Sequence, residues 1–507
     1  MQSTQHTDED RESTRSSHSP RSISDLAVLL GIAWFAGLLI HFLFLNSWGS
    51  PLWQHVPVQL FKVLLDPGAF LSGLGVIFFK TLSHCAYLLI LGLVGWLYIR
   101  RRLQRGFKVD SISLAILMGI GLVGIPLHFL GMLHFLGRWQ TLLVPLIMGA
   151  FVFFLPQRPA SEDELDRAPG PELTSLDRWL AGIAWTLTGI LTLLSFYHAL
   201  AFPVDYWDAL IYYVDYAQRT WEQGGFPTIV CGQVGIGLGA NYPHLFHVLQ
   251  VLGAHIAGDW SDVYGQLLPP TLGLVTIGVL AGLLRNLFGN KLVVALGVLA
   301  FRAIPYGFTY QVWVSDYSLV IAFTAGFFYC IERFVQSRDW RWFEGAALLC
   351  GVMPTINYLG WVYFAVLAAA PLLQIRSHTP RIVLRKTVPF VLLAFAIAIP
   401  WYVRNVVVTG NPVYAFFYEW LDGKHIDPAV MESCQVEWLA NGDGPAQLGP
   451  DLLTRLIRTP WYLLLANPSW KLGPLFTGLL LPGFFLSLFL RRNRSAFLLM
   501  ALFGFIL

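Results

Sequence analysis

The sequence predicts an all-α polytopic membrane protein with about 12–13 transmembrane helices. Three observations predict it. Of 507 residues 56% are hydrophobic and 12% are charged, the charged share being about half that of an ordinary soluble domain. Counting glycine, the apolar share rises to about 65%, against roughly 45–50% for soluble chains. So few charges could not cover a water-soluble body, which leaves lipid as part of the solvent. Apolar stretches near the length of a membrane span recur along most of the chain, separated by short polar segments.

The same composition excludes other classes. A net charge of +3, from 33 basic and 30 acidic residues, gives no basic field, so nucleic acid is not a partner. The apolar content excludes a disordered scaffold. Five scattered cysteines form neither a metal-ligand spacing nor a disulfide framework.

Residues 1–25 are polar, with eight charges and no apolar run, and read as a disordered cytoplasmic tail. Apolar stretches follow at 26–46, 70–99, 112–135 and 141–156, giving an N-terminal four-span region over 26–156 with no assigned role. An acidic cytoplasmic linker at 157–178 contains SEDELDRAPGPEL. Further stretches lie at 179–202, 264–284, 292–309, 314–331, 343–374, 387–402, 472–490 and 495–507. Residues 343–374 are long enough for two short spans hinged around Met353-Pro354-Thr355. Residues 491–507 read as a final span cut short, because no polar flank follows it.

Basic residues set the orientation. Arg100, Arg101, Arg102, Arg105 and Lys108 form one cluster, and Arg333, Arg338 and Arg341 a second. Arg376, Arg381, Arg385 and Lys386 form a third, and Arg491, Arg492 and Arg494 a fourth. A cytoplasmic N-terminus puts all four inside. The loops 203–263 and 403–471 then lie outside, the first with one basic residue, Arg219, against six acidic ones. Loops of that size are built where something is done, so chemistry is expected on the outer face.

The first outer loop opens with VDYWDALIYYVDYAQRTWEQGG. Asp205 and Asp208 have the spacing of an N-cap and its N3 carboxylate, and the helix would run to Glu222 before Gly224-Gly225 stops it. Asp208, Tyr212, Asp215 and Arg219 then share one face. The structural account is that Asp205 and Asp208 cap while Asp215 pairs with Arg219. The functional account is that an acid at this apolar boundary serves as general base towards a hydroxyl. A second polar island, GLGANYPHLFHVL, holds His244 and His247 three apart after Pro243. They read either as wet histidines on an interfacial helix or as contacts to a phosphate or a metal.

Asp316, in QVWVSDYSLVIAF, lies near the outer end of its span, where an acid is functional or paired within the bundle. Asn357 and Tyr358, in the hinge of 343–374, fall at the same level. In PWYVRNVVVTGNPVYAFF, Pro400 interrupts the span, Arg404 and Asn405 emerge at the boundary, and Gly410-Asn411-Pro412 turns the chain back. Arg404 can offer a guanidinium fork to a lipid phosphate, or simply snorkel. Lys424, His425, Arg455, Arg458 and Lys471 add positive charge in the following loop. Trp401, Tyr402, Trp461, Tyr462 and Trp470 read as an aromatic belt.

Together DYWDALIYYVDYA, NYPHLFHVL, SDYSLVIAF, GVMPTINYLGW and PWYVRNVVVTGNPVYAFF resemble the polytopic membrane glycosyltransferases of the GT-C fold. That group takes sugars from polyprenyl-phosphate carriers and includes bacterial protein mannosyltransferases and lipid A sugar transferases. The resemblance covers roughly residues 180–490. It implies a GT-C-like core over 179–490 with a large first outer loop bearing interfacial helices. It also implies an inverting transfer from a polyprenyl-phosphate sugar to a hydroxyl of a glycan, lipid or protein acceptor, at the outer face of the cytoplasmic membrane. By position, Asp208 matches the family's proposed base with Asp205 in reserve, and Asp316 matches its second acid. Many relatives have Tyr-His where this sequence has Tyr212-Tyr213, and a lysine where it has Asn357, which makes Arg404 the better candidate for the carrier phosphate. Arg404, Asn405, Tyr212, His244, His247, Asn357, Tyr358 and Lys424 form the expected substrate-binding set. The sequence specifies no cofactor, and the outer carboxylates could hold a divalent cation as well as move a proton. A polysaccharide polymerase or ligase and a transporter or flippase are the alternative readings.

Overall fold

The computed structural model describes residues 67–103, 109–157, 173–201, 203–204, 208–227, 242–303, 308–374, 379–414, 418–421 and 423–424. Asp205 and the spans expected at 26–46, 472–490 and 495–507 lie outside the described residues. Every regular element among the described residues is helical, with no strand. The chain is an all-α polytopic membrane protein. Six described helices are long and apolar enough to cross a membrane, and three shorter apolar helices accompany them.

In chain order these are α1 (Pro67–Tyr98), α2 (Val109–Met132), α3 (Arg138–Phe154) and α4 (Ser175–Ala201). A π-helical turn, Ala209–Val214, leads into α5 (Asp215–Gln223), followed by α6 (Leu245–Ala257), α7 (Val263–Phe288) and α8 (Lys291–Ala303). Then come α9 (Tyr317–Ser337), α10 (Trp340–Val352), α11 (Val362–Ala369) and α12 (Pro380–Thr409). The hinge expected at Met353-Pro354-Thr355 is present as a 3-10 turn, and a second such turn, Tyr358–Trp361, starts the returning arm.

Pro400 does not interrupt its span. α12 runs through both Pro389 and Pro400 to Thr409. A proline removes one backbone hydrogen bond, and neighbouring helices make that tolerable within a membrane bundle. Pro126, Pro145 and the pair Pro269-Pro270 likewise sit inside helices. The turn expected after α12 does form, with Gly410 at φ 83° in the left-handed region that suits glycine.

A single apolar core runs from Tyr87 on α1 to Tyr402 on α12. α2 lies near its centre, packed on α1, α7 and α10. α1 and α2 approach closely because both carry glycine at the crossing. A Cβ at Gly95 would fall 1.8 Å from the Ala115 carbonyl oxygen, and one at Gly119 the same distance from that of Leu91. A smaller cluster of Ala181, Ala184, Ala295 and Leu299 joins α4 to α8 beside the main bundle.

The bundle has two polar ends. At one, the C-terminal ends of α1, α7 and α9 meet the N-terminal ends of α2 and α10. Arg102 forms a bidentate pair with Glu344 at 2.8 and 2.7 Å, and Arg285 pairs with Asp110 at 2.9 Å. At the other, the ends of α2, α10 and α12 meet the starts of α6 and α9. The sequence candidates gather there.

Candidate functional site

Asp316 occupies the residue before the first turn of α9, one position outside the span Tyr317–Ser337. It is buried. The Tyr213 hydroxyl donates to its Oδ1 at 2.7 Å and the Asn357 amide to its Oδ2 at 3.1 Å. Asn357 is aimed by its own backbone. In an extended conformation it caps the Tyr358–Trp361 turn, its Oδ1 accepting the Leu359 N–H at 3.1 Å and its amide nitrogen remaining for Asp316. Burial pushes the Asp316 carboxyl up to about 6, while the two hydrogen bonds favour its ionised form and pull the other way. The two positions at which the sequence departs from the resemblance, Tyr213 and Asn357, therefore both hold this one carboxylate.

Asp208 is exposed at the start of the π-helical turn. Its backbone is helical, with φ −64° and ψ −34°, as the expected N3 place requires; Asp205, the cap it would support, lies outside the described residues. Its charge acts on Asp316 and adds to the rise of that carboxyl, which sets the two acids on one region. The π turn also alters the expected single face. The Asp215 N–H reaches back five residues to Leu210 O, so Tyr213 turns inward to Asp316 while Tyr212 faces the histidines. The Asp215–Arg219 pair is present as expected at 2.8 Å, and α5 ends at Gly224 in left-handed conformation.

His244 and His247 are fully buried, and α6 is buried from Leu245 to His255. The expectation of an interfacial helix with wet histidines is thus overturned: α6 packs against α1, α2 and α7 inside the bundle. His247 Nε2 lies 3.3 Å from the Tyr212 carbonyl oxygen, which can only accept. In the neutral pair, Nε2 of His247 carries the proton and its Nδ1 accepts from Nδ1 of His244 at 3.3 Å. The His244 backbone N–H donates to Nε2 of His128 at 3.2 Å, which leaves the His128 proton on Nδ1. Tyr216 stacks on His244 with ring centroids 4.4 Å apart.

Trp401 is no belt residue. It is fully buried, with the rings of His244, His128 and Phe226 4.9, 5.0 and 5.8 Å from its own. The Arg404 guanidinium lies 4.8 Å from the Trp401 ring and donates from Nη1 to the Asn405 side-chain oxygen at 3.0 Å. Asn405 is fully buried and donates to the Tyr358 hydroxyl at 3.2 Å and to Pro412 O at 3.3 Å. The Tyr358 hydroxyl in turn donates to Tyr414 O at 3.0 Å. Asn405 thus folds the turn after α12 back onto the hinge that carries Asn357. The Lys424 side chain is exposed, and its backbone N–H bonds Thr409 O at the end of α12.

A polar path therefore runs from Asp316 to Asn357, across the peptide bond to Tyr358, and on through Asn405 to Arg404. Three of its neighbours escaped sequence reasoning. His128 lies in a span outside the resemblance, and a lone histidine in an apolar run gives no signal. Tyr213 was visible only as a departure from the family pattern. Tyr242, within the quoted NYPHLF segment, sets its ring 6.0 Å from that of Tyr212 and 5.6 Å from that of Tyr358, joining the two sides of the site. Among the described residues, no group of three or more His, Cys, Asp or Glu side chains is arranged to hold a metal ion.

An all-α membrane bundle with a buried polar cluster around Asp316 at one end defines the class of this protein. Within it, residues 241–403 match a family described as dolichyl-phosphate-mannose-protein mannosyltransferase. His244, His247, Asp316, Asn357 and Tyr358 fall inside that segment, Asp208 and Tyr212 before it, and Arg404, Asn405 and Lys424 after it. Comparisons with curated proteins and with solved structures returned no match.

Proposed function

We propose that this protein is an inverting glycosyltransferase that moves a sugar from a polyprenyl-phosphate carrier to an acceptor hydroxyl at the outer face of the cytoplasmic membrane. The family match over 241–403 supports sugar transfer in general terms. The observation that carries the finer reading is the pairing of an exposed acid with a buried one. Asp208 is open to an incoming hydroxyl, while Asp316 is fixed from both oxygens and faces the same region.

Asp208 takes the proton of the acceptor hydroxyl as its oxygen attacks the anomeric carbon. The bond from that carbon to the carrier phosphate oxygen breaks on the opposite side, so the configuration inverts. The bonding electrons leave with the polyprenyl phosphate, whose charge Arg404 receives beside Asn405 and Trp401. Asp208 then gives its proton to water. Asp316 is a positioning residue, holding Tyr213 and the Asn357 hinge in place. Tyr212, His244 and His247 line the side of the site opposite that hinge.

The basic residues support the orientation. Arg102, Arg285, Arg333 and Arg341 lie at the end of the bundle away from Asp316, which supports a cytoplasmic place for that end and an outer one for the acids. Purified full-length protein, given a labelled polyprenyl-phosphate sugar and separated acceptor fractions, tests the reading. Asp208→Asn is expected to lower turnover by roughly 10²–10⁴-fold with little change in carrier KM. Equal turnover in variant and wild type would remove Asp208 as base.

A further inference from the structure

Arg302 is fully buried near the end of α8, between α8 and α4. Its Nη2 donates to Leu191 O and to the Ser195 hydroxyl, both at 2.8 Å. Its Nε and Nη1 are buried without an acceptor. Among the described residues no carboxylate pairs with it, and its other neighbour is the Phe308 ring, 5.5 Å from the guanidinium carbon.

A guanidinium in this condition is costly, because burial removes its water and nothing of opposite charge replaces it. Its location indicates what would. Ser195 lies 20 residues into α4, counted from Ser175 at the basic end, which is about 30 Å of helix and about the thickness of the hydrocarbon layer. Arg302 therefore lies beside the last turns of α4, towards the segment that carries Asp208. α4 buries little of its length, so its outer face is open to lipid, and it meets α8 through small side chains, Ala181, Ala184 and Ala295. One turn beyond Ser195, at His198 and Ala199, begins a cavity of about 10 Å³ that extends to Ala209, the neighbour of Asp208; that is about the room needed for one water.

We propose that Arg302 is a second anion site, separate from Arg404, which takes the phosphate of an anionic lipid entering between α4 and α8. The phosphate oxygens accept from Nε and Nη1 while Nη2 stays on Leu191 and Ser195. The site would place a phosphorylated lipid on the Asp208 side of the polar path. The inference does not depend on sugar transfer, since it concerns binding alone.

Thermal unfolding of the full-length protein in nanodiscs tests it. Wild type and Arg302→Met are compared in phosphatidylcholine, in phosphatidylcholine with phosphatidylglycerol, and in phosphatidylcholine with inorganic phosphate at matched ionic strength. Phosphatidylglycerol is expected to raise the wild-type midpoint by about 2 °C or more and to leave Arg302→Met unmoved. In phosphatidylcholine alone the variant should be at least as stable as wild type, because it removes a charge that has no partner there. A shift reproduced by inorganic phosphate assigns the same site to the free anion instead of the headgroup. A variant that is less stable in phosphatidylcholine makes Arg302 a structural tie to α4 and overturns the proposal. So does an equal phosphatidylglycerol shift in both proteins.

Discussion

The arginine-rich end of the bundle and the network around Asp316 treat charge in opposite ways. At the arginine-rich end, acid meets base directly: Arg102 grips Glu344 through two hydrogen bonds with the Tyr98 hydroxyl as a third partner, and Arg285 and the Tyr329 hydroxyl both bond Asp110. At the far end, Asp316 is held by a phenol and an amide, and Arg404 rests on an amide and an indole. The buried acid and the arginine do not pair with each other; neutral side chains connect them. Paired charges cancel and tie helices together. A buried acid held by neutral groups keeps its field for something that arrives beside it. The contrast separates charge used for assembly from charge available for chemistry.

The largest expected effect tests the first half of that contrast. Glu344→Ala leaves the largely buried Arg102 guanidinium without its partner and should lower stability by about 3–5 kcal/mol, read by thermal unfolding. Replacing both members, Arg102→Met with Glu344→Leu, should restore most of the loss. If the single variant matched wild type, the pair would not be an assembly contact. Transfer activity per folded molecule should survive both changes.

Asp316→Asn tests the other half and should divide stability from activity. The folded-state carboxyl lies at about 6, above the ordinary carboxylate range, so its protonated form favours the fold. That contribution is complete below the unfolded value near 4 and is lost as pH rises through about 6. Acidifying from about pH 8 to about 5 should therefore add stability from this group. Activity should fall over the same interval, because only the carboxylate accepts from Tyr213 and Asn357 together. In the variant, one of its own atoms would present a donor to the Asn357 amide. Turnover should drop roughly tenfold or more, and both pH dependences should flatten. Retention of both in the variant would leave Asp316 a plain buried residue.

The membrane class, the helix order and the hinge at Met353-Pro354-Thr355 are legible in the sequence because they follow from apolar run length and proline chemistry, which are local. Asp316, Asn357 and Arg404 are legible because polar groups are conspicuous in apolar surroundings. What the sequence hides is which polar groups meet. Tyr213 reaches Asp316 across 103 residues, and His128 meets the His244 backbone across 116, distances that no spacing rule spans. The π turn hides the rest. A regular α-helix puts Asp208 and Tyr212 on one face, whereas a wider turn rotates Tyr213 to the acid. Burial is also invisible: a tryptophan and two histidines written beside prolines read as boundary residues and lie in the core. The reading of Pro400 failed because proline breaks isolated helices more readily than helices packed in a bundle.

The smallest effect comes from the third acid of the first outer segment, and it limits how far the contrast can be taken. Asp215 is half-buried and bonds Arg219 one turn along α5, with Arg219 half exposed. An ion pair of this kind is screened by water and contributes about 0.3–0.5 kcal/mol. Asp215→Ala should therefore leave turnover unchanged and move the unfolding midpoint barely beyond error, although the residue lies only seven positions from Asp208. If location at the far end were enough to make an acid functional, this substitution would lower transfer as Asp208→Asn does. A silent result would show that location alone does not make an acid functional: Asp215, closed on a cation at the same surface, assembles the helix.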